Sequence, residues 1–222
     1  MRRGSWYHDP RVPPTVGIPL PLRNALAALT LRALTEPPAQ ATIEWLLTDT
    51  AEPTDDVART LVAVGLADPP GQRLLDLYDP FVPHVRAHAA RAFVAARARA
   101  TAPSPTDARD AALIGAACLW AHGLFFEVHE IVEPEWARAS GDVRQALQGL
   151  IQVAVAFHHL AHGNPRGARK LLIDGREKLA ASGDALSRID SAALLADTAP
   201  WVEAFATRVP APERPVPPIR LR

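Results

Sequence analysis

Residues 142–165, DVRQALQGLIQVAVAFHHLAHGNP, hold one long helical pattern, a stop and the start of a second helix. Asp142 and Gln145 form a capping-box pattern at the first start, and Gly163 marks the end. Asn164 then caps the following helix, with a proline at its first position. Because so short a turn places consecutive helices side by side, this stretch predicts two antiparallel neighbours in an all-α bundle.

Helical patterns continue on both sides of this stretch. Asp107, or Thr106 beside it, is a predicted N-cap, and Gly123 can close the helix that it starts. Pro200 is a predicted point of division in the last helix. The flanking helices are predicted at residues 107–121, from 124 onward, at 165–180 and at 187–208. Together they predict a C-terminal antiparallel helical bundle over residues 106–208.

Residues 23–100 are predicted to form a small helical domain. Three short helices are expected, then a hairpin around Pro-Pro-Gly in residues 66–77, and a connecting helix. This is the element order of a winged-helix-like domain. The third helix carries Asp55 and Asp56 against a single Arg59, whereas a groove-reading helix is basic or rich in amides. We therefore expect packing or dimerisation here rather than nucleic-acid binding.

Both ends of the protein are rich in proline. Residues 1–22 and 209–222 lack helical periodicity, so both are expected to be extended, weakly ordered arms. The basic N-terminus is not followed by the apolar block of a signal peptide. Cys118 is the single cysteine, so no internal disulfide can form. The sequence thus predicts a cytoplasmic protein with no membrane partner.

The overall charge argues against one broad class of partner. The 222 residues include 24 basic and 24 acidic side chains, so the formal net charge is zero. No whole-molecule field therefore attracts nucleic acid or an anionic membrane surface. Apolar residues make up 48% of the protein and charged residues 22%, which is typical of a globular rather than a disordered protein.

Ionisable residues are concentrated in residues 125–136, FFEVHEIVEPEW. At about 100° per residue, one stripe of this helix collects Phe126, His129, Glu130, Glu133 and Trp136. Glu127 lies off the stripe and is expected to meet solvent. On the next helix, Gln148, Gln152 and His159 align within a few tens of degrees. If the two helices pair, one polar seam faces the other.

Two interpretations of this seam stay open on the residues alone. In the first, Glu130 or Glu133 bonds His129 and the glutamine amides, as a buried network that fixes helix register. In the second, His129, Glu133 and His159 bind a divalent metal ion, and Glu130 is a further ligand or a general base for a bound water. Burying two carboxylates without a strong partner is costly, and a cation would relieve that cost.

The C-terminal half resembles a known family, the domain-of-unknown-function 309 family. The similarity runs through LWAHGLFFEVHEIVEPEW, QALQGLIQVAVAFHHLAHGNPRGARKLL and IDSAALLAD, over about residues 106–200. The resemblance implies a small all-helical bundle, sometimes labelled a predicted metal-dependent hydrolase. The motif positions that it implies here are Glu127, His129, Glu130, Glu133, Trp136, Gln148, Gln152 and His159.

The sequence departs from the family pattern at two positions. Pro134 removes a backbone donor and frees the Glu130 carbonyl, so the helix is expected to bend or restart there. His122 replaces a small amide, and either joins the site or caps its helix.

The favoured function is a metal-dependent hydrolase that uses a divalent metal ion on an unknown small molecule. The alternatives are a non-catalytic binding or assembly module, including a homo-oligomer, and a DNA-binding regulator acting through the N-terminal domain.

Overall fold

The computed structural model describes residues 17–48, 52–207 and 216–222. Nine α-helices and no β-strand occur in this part of the protein, which confirms the all-α fold class. None of these helices is long and apolar enough to cross a membrane. The described residues divide into two compact units, one before residue 103 and one from residue 103 onward. The helices are α1 (Leu20–Ala33), α2 (Pro37–Thr48), α3 (Asp55–Val64), α4 (Val82–Thr101), α5 (Ala108–Ala121), α6 (Phe125–Arg138), α7 (Gly141–Ala161), α8 (Pro165–Ala181) and α9 (Ser191–Thr207).

The N-terminal unit places α2 in contact with α1, α3 and α4. Leu26, Ile43 and Leu61, from three different helices, are almost completely buried in its core. Thr54 caps α3 by accepting a hydrogen bond from the Val57 amide at 3.4 Å. Burial of such side chains from sequentially close helices is what holds this small unit together.

The prediction of a hairpin in residues 66–77 is wrong. A single backbone hydrogen bond, from Leu75 N to Leu66 O at 3.0 Å, joins the two pieces, and a short 3-10 helix (Asp76–Phe81) follows. The turn contains Pro69 and Pro70, which have no N–H to donate to a strand ladder. The unit therefore keeps the predicted helices without the strands of a winged-helix-like domain.

The third helix carries acidic charge at its N-terminal end. Asp55 and Asp56 are exposed in the first turn of α3, and Arg59, its single basic residue, pairs with Asp56. Carboxylates at this position favour the helix itself, because they face the positive end of its dipole. The charge at this end is thus explained by helix stability.

A buried histidine joins two helices of the N-terminal unit. Thr30 Oγ1 donates to Leu26 O at 2.8 Å and lies 3.0 Å from His88 Nε2. Because the hydroxyl proton is already used, His88 Nε2–H donates to Thr30. Burial lowers the pKa of His88 well below its ordinary value, and the charges of Arg91 and His84 lower it further. His88 is therefore a neutral core residue.

The C-terminal bundle is built around a cluster of aromatic rings. Consecutive helices are in contact, α5 with α6, α6 with α7, α7 with α8 and α8 with α9. Trp120 meets Phe125 and Phe157 edge-to-face at centroid distances of 5.1 and 5.2 Å, and Phe157 meets Trp201 at 5.5 Å. Edge-to-face packing adds to the free energy gained by burying these rings.

Two of the predicted helix starts are confirmed and one is wrong. Asp107 caps α5 by accepting from Asp110 N at 2.8 Å, and Asn164 caps α8 by accepting from Gly167 N at 3.0 Å. The capping box at the start of α7 does not form. That helix already begins at Gly141, with Ser140 at its N-cap and no side-chain cap, so Asp142 lies within its first turn.

Two glycines let α7 and α8 approach through their backbones. A Cβ atom on Gly149 would lie 2.7 Å from Gly175 O, and a Cβ on Gly175 would lie 2.8 Å from Gly149 O. Both distances are shorter than any ordinary carbon–oxygen contact. The spacing of the two helices therefore depends on hydrogen in place of a side chain at both positions.

The predicted boundaries differ from the structure toward both ends of the protein. Helix α1 already begins at Leu20, and α9 passes through Pro200 without division. The prediction of a weakly ordered tail is wrong for residues 216–222, because Trp120 Nε1 donates to Pro217 O at 2.6 Å and ties this segment to the bundle. The remaining parts of the two predicted arms, residues 1–16 and 209–215, lie outside the described residues.

An ion pair ties the start of α5 to the connection between α8 and α9. Asp110 accepts from Arg188 Nη2 at 2.6 Å, from Arg188 Nε, and from the Thr106 amide at 2.8 Å. Hydrogen bonds from Arg188 hold the pKa of Asp110 well below its usual range. The pair is largely shielded from solvent, since only 8% of the Asp110 side chain and 21% of the Arg188 side chain are exposed.

Candidate metal centre

Helix α6 carries the candidate site and is continuous. It runs from Phe125 to Arg138 with Pro134 inside it, so the expected restart does not occur. Pro134 is exposed, and its missing N–H affects only the solvent side of the helix. His129, Glu130 and Glu133 consequently project from one unbroken helix.

The His129 imidazole lies between two carboxylates. Its Nδ1 is 2.9 Å from Glu130 Oε1, and its Nε2 is 3.7 Å from Glu133 Oε2. One ligand atom from each of the three residues lies within 4.8 Å of the others. The three side chains are 26%, 35% and 51% exposed, in sequence order, so the group is open to solvent on the Glu133 side.

The predicted ligand His159 lies elsewhere. Its Nδ1 is 3.3 Å from Asn164 Nδ2, and a Cβ on Gly167 would lie 3.2 Å from its ring. The ring thus faces the start of α8 and does not join the His129 group. Burial, and then the charge of His162, lower the pKa of His159.

His158, which precedes it, lies closer to α6. The Phe126 ring is 5.8 Å from the His158 ring and 6.0 Å from the His129 ring, measured between centroids. A rotation of one residue along α7 separates the two histidines by about 100°. The helical periodicity favoured His159, which aligns with Gln148 and Gln152, whereas the histidine in contact with α6 is His158.

The two glutamines do not form the predicted facing seam. Gln152 lies where α7 meets α8, since a Cβ on Gly175 would be 3.0 Å from Gln152 Cβ. Its Oε1 is buried and has no hydrogen-bond partner among the described residues. Gln148 is partly exposed. The register of α6 against α7 is therefore not set by the amide network that the first interpretation required.

Glu127 is buried, which corrects the expectation that it meets solvent. Only 3% of this residue is exposed. The helical periodicity was interpreted with a single buried face, whereas α6 contacts both α5 and α7. A helix packed on two sides buries more of its circumference than a surface helix does.

Trp136 marks the C-terminal end of the α6 stripe. The Arg144 guanidinium lies 4.2 Å from the centre of its ring, and Arg144 Nη1 donates to Trp136 O at 2.9 Å. Trp136 Nε1 is buried and has no hydrogen-bond partner within the described ranges. Arg144 thus covers the ring and satisfies a carbonyl at the end of α6.

Two further residues, one at the end of α5 and one within it, take structural positions. His122 occupies the C-cap of α5, where its amide donates to Leu119 O at 3.1 Å and the following Gly123 amide donates to Trp120 O at 3.0 Å. Cys118 is buried within the same helix. A thiol shielded in this way lacks the exposure that a nucleophile needs.

Comparison with known proteins supports the family resemblance. Residues 113–171 match the model of the family described as Domain of unknown function (DUF309). This segment contains the His129 group and the Gly149 side of the α7–α8 contact. No curated protein and no solved structure matches significantly. The family description carries no activity, so any chemistry rests on the residues themselves.

Proposed function

We propose that α6 carries a divalent-metal site and that the protein is a metal-dependent hydrolase of a small molecule. In this proposal His129 Nε2 and Glu133 Oε2 are the ligand atoms, and Glu130 orients the imidazole. The observation that carries it is the position of His129 between two carboxylates.

The position of the His129 imidazole between two carboxylates gives the argument for a cation. A neutral imidazole has one N–H and one lone pair. Both ring nitrogens of His129 lie near a carboxylate oxygen, Nδ1 at 2.9 Å from Glu130 Oε1 and Nε2 at 3.7 Å from Glu133 Oε2, so in either neutral tautomer one lone pair faces an acceptor. Two acceptors that face each other repel, and a cation between them turns the repulsion into two favourable contacts.

The spacing of the donor atoms fits a small divalent ion. Nitrogen and oxygen ligands lie about 2.0–2.2 Å from zinc, so two of them 3.7 Å apart can share one ion. A carboxylate on the second nitrogen of a metal-binding histidine is the usual supporting partner, and Glu130 is in that position. A bound ion would lower the pKa of a coordinated water toward neutrality.

The remaining groups of the site follow from this arrangement. Glu133, the most exposed of the three, lies on the side from which a substrate would approach. Glu130 Oε1 lies beside His129 Nδ1, and Glu130 Oε2 is the atom that would accept a proton from an attacking water. Open positions on the ion are a property of catalytic rather than structural sites.

A second candidate is a structural role without metal. A protonated His129 would be attracted to both carboxylates, whose oxygens lie 2.9 Å from Nδ1 (Glu130) and 3.7 Å from Nε2 (Glu133). The imidazolium would then stabilise one turn of α6 without a bound metal ion. In that case the bundle is a binding or assembly module. Nitrogen-15 shifts of the His129 ring distinguish the imidazolium from the neutral tautomer.

Metal analysis of the untagged full-length protein tests the proposal. We expect the wild-type protein, stripped and reloaded with zinc or manganese, to retain about one ion per molecule. The His129→Ala/Glu133→Ala double variant should retain none, and Glu135→Gln, on the same helix, should match wild type. Equal metal content in wild type and double variant would contradict the site.

Activity is measured on the same proteins. Chromogenic carboxylic and phosphoric esters are offered with and without added metal, and hydrolysis should require both the ion and Glu133. Metal binding without any hydrolysis would support a binding protein over an enzyme.

A further inference from the structure

Residues 216–222, VPPIRLR, dock against the bundle as a non-helical peptide. Val216, Pro217 and Ile219 are buried, and Leu221 forms an antiparallel bridge with Ile189. The segment pairs with the connection between α8 and α9, although it is part of neither helix in the sequence. Its docking surface is therefore a groove on the bundle, which we call the tail groove and which is formed by Trp120, Asp184, Arg188, Ile189, Asp190 and Asp197.

Main-chain hydrogen bonds fix the register of the peptide in the tail groove. Asp190 N donates to Arg220 O at 2.9 Å, and Arg222 N donates to Arg188 O at 2.9 Å. The Trp120 indole adds its bond to Pro217 O, and Arg188 Nη1 donates to Arg222 O at 3.1 Å. Backbone pairing of this kind is the mode by which folded domains bind extended peptides.

Charge complementarity selects the sequence of the peptide. Arg220 Nη2 lies 2.8 Å from Asp197 Oδ2, and Arg222 Nη1 lies 2.7 Å from Asp184 Oδ1. Apolar residues of the segment turn inward while its two arginines meet acidic residues at the rim. The tail groove thus fits a peptide with two prolines, an aliphatic residue and two alternate arginines.

We infer that the tail groove also binds residues 216–222 of a second copy of this protein, so that two copies exchange these segments. The contacts described above are made by these seven residues, and they form equally with a segment from the same molecule or from another. Exchange of an identical element needs no new interface, which makes it a low-cost route to a dimer. Tethering favours the internal segment until the protein concentration approaches the millimolar range.

Two charge-reversed full-length proteins test the exchange. The segment variant carries Arg220→Asp and Arg222→Asp, and the groove variant carries Asp184→Arg and Asp197→Arg. Each alone has a mismatched segment and groove, so each should be a monomer with a lowered melting temperature. In an equimolar mixture, the segment of each variant fits the groove of the other. Sedimentation velocity should then show twice the monomer mass, and the melting temperature should rise.

Two results would contradict the exchange. A mixture that sediments as monomers, and whose melting curve is the sum of the curves of the two separate variants, would overturn the inference. If circular dichroism shows that either variant is unfolded, the wild-type protein decides instead. Its dimer fraction should grow between micromolar and millimolar concentration, and added VPPIRLR peptide, but not a scrambled one, should dissociate that dimer. A wild-type protein that stays strictly monomeric up to millimolar concentration would overturn the inference as well.

Discussion

Arg188 grips the carboxylate of Asp110 with two hydrogen bonds, from Nε to Oδ1 and from Nη2 to Oδ2. The two residues are 78 positions apart in the sequence. Arg188 also donates to the carbonyl of Arg222 at 3.1 Å. One guanidinium therefore joins the start of α5, the α8–α9 connection and the docked segment.

Asp110→Asn should destabilise the bundle at neutral pH and remove part of its acid sensitivity. The pKa of Asp110 is depressed in the folded state, so its stabilisation is present above the ordinary value of 3.8 and is lost as the pH falls through the folded value. Thermal melts from neutral to acidic pH should show the melting temperatures of wild type and Asp110→Asn converging below pH 3.8. Asp174→Asn, which removes the pair with the exposed Lys170, is the control and should change little. Parallel curves for wild type and Asp110→Asn would contradict the assignment.

His88→Met should make the N-terminal unit less sensitive to mild acid. Because burial lowers the folded pKa of His88, the unfolded state takes up a proton below 6.5 before the folded state does. The wild-type unit consequently loses stability as the pH falls from 6.5 toward the folded value. Urea unfolding at about pH 7.5 and about pH 5.5 measures this loss. His84→Gln removes one of the charges that lower the pKa of His88, so its pH dependence should fall between those of His88→Met and wild type.

Gly175→Ala should destabilise the bundle although alanine is the better helix former. The new methyl would overlap the Gly149 carbonyl, and overpacking of this kind costs about 1–3 kcal/mol. The gain in helix propensity is about 1 kcal/mol, so the net change is a loss of up to about 2 kcal/mol. Urea unfolding gives the value, with Ala180→Ser on the exposed side of α8 as the control. An increase in stability would show that α7 and α8 separate at little cost.

Glu130→Gln and Glu133→Gln should differ in metal affinity if the proposed roles are right. Loss of a ligand at Glu133 should abolish binding, whereas loss of the supporting partner at Glu130 should weaken it about 10–100-fold. Isothermal titration with zinc into metal-free full-length protein measures both. Glu135→Gln, whose side chain pairs with Arg138, should bind like wild type. Equal effects at Glu130 and Glu133 would make both of them direct ligands.

Arg144→Met should loosen the connection between α6 and α7. The guanidinium stacks on Trp136 and donates to Trp136 O and Ala137 O at the end of α6. Hydrogen bonds from a charged donor contribute about 1.5–3 kcal/mol, which bounds the expected loss of stability. Urea unfolding should place Arg144→Lys between Met and wild type, since lysine keeps the charge without the planar fork. Arg138→Met, at an exposed position, is the control.

Most helix limits could be predicted because the interactions that set them are local. Asp107 and Asn164 were found from the N–H groups that a helix start leaves unbonded. The strands around Pro69 failed for the opposite reason, since pairing depends on partners outside the local pattern. The docked segment was missed because its apolar residues are few and its partners lie far away in the sequence.

The candidate site shows the same division. His129, Glu130 and Glu133 come together because their spacing on one helix determines their proximity. His159 does not join them, since its position depends on how α7 rotates against two neighbours. Glu127 was predicted to be exposed because the sequence does not show that α6 packs against both α5 and α7.

The buried aromatic cluster also equips the protein with an optical readout. Within the described residues, Trp120, Trp136 and Trp201 belong to the bundle, whereas Trp45 belongs to the other unit. An indole in apolar surroundings emits at shorter wavelengths than one in water, so opening of the bundle should appear as a red shift. In a Trp45→Phe variant the three remaining indoles named here all belong to the bundle, so their red shift reports the unfolding of the bundle, and comparison with wild type separates the two units in time.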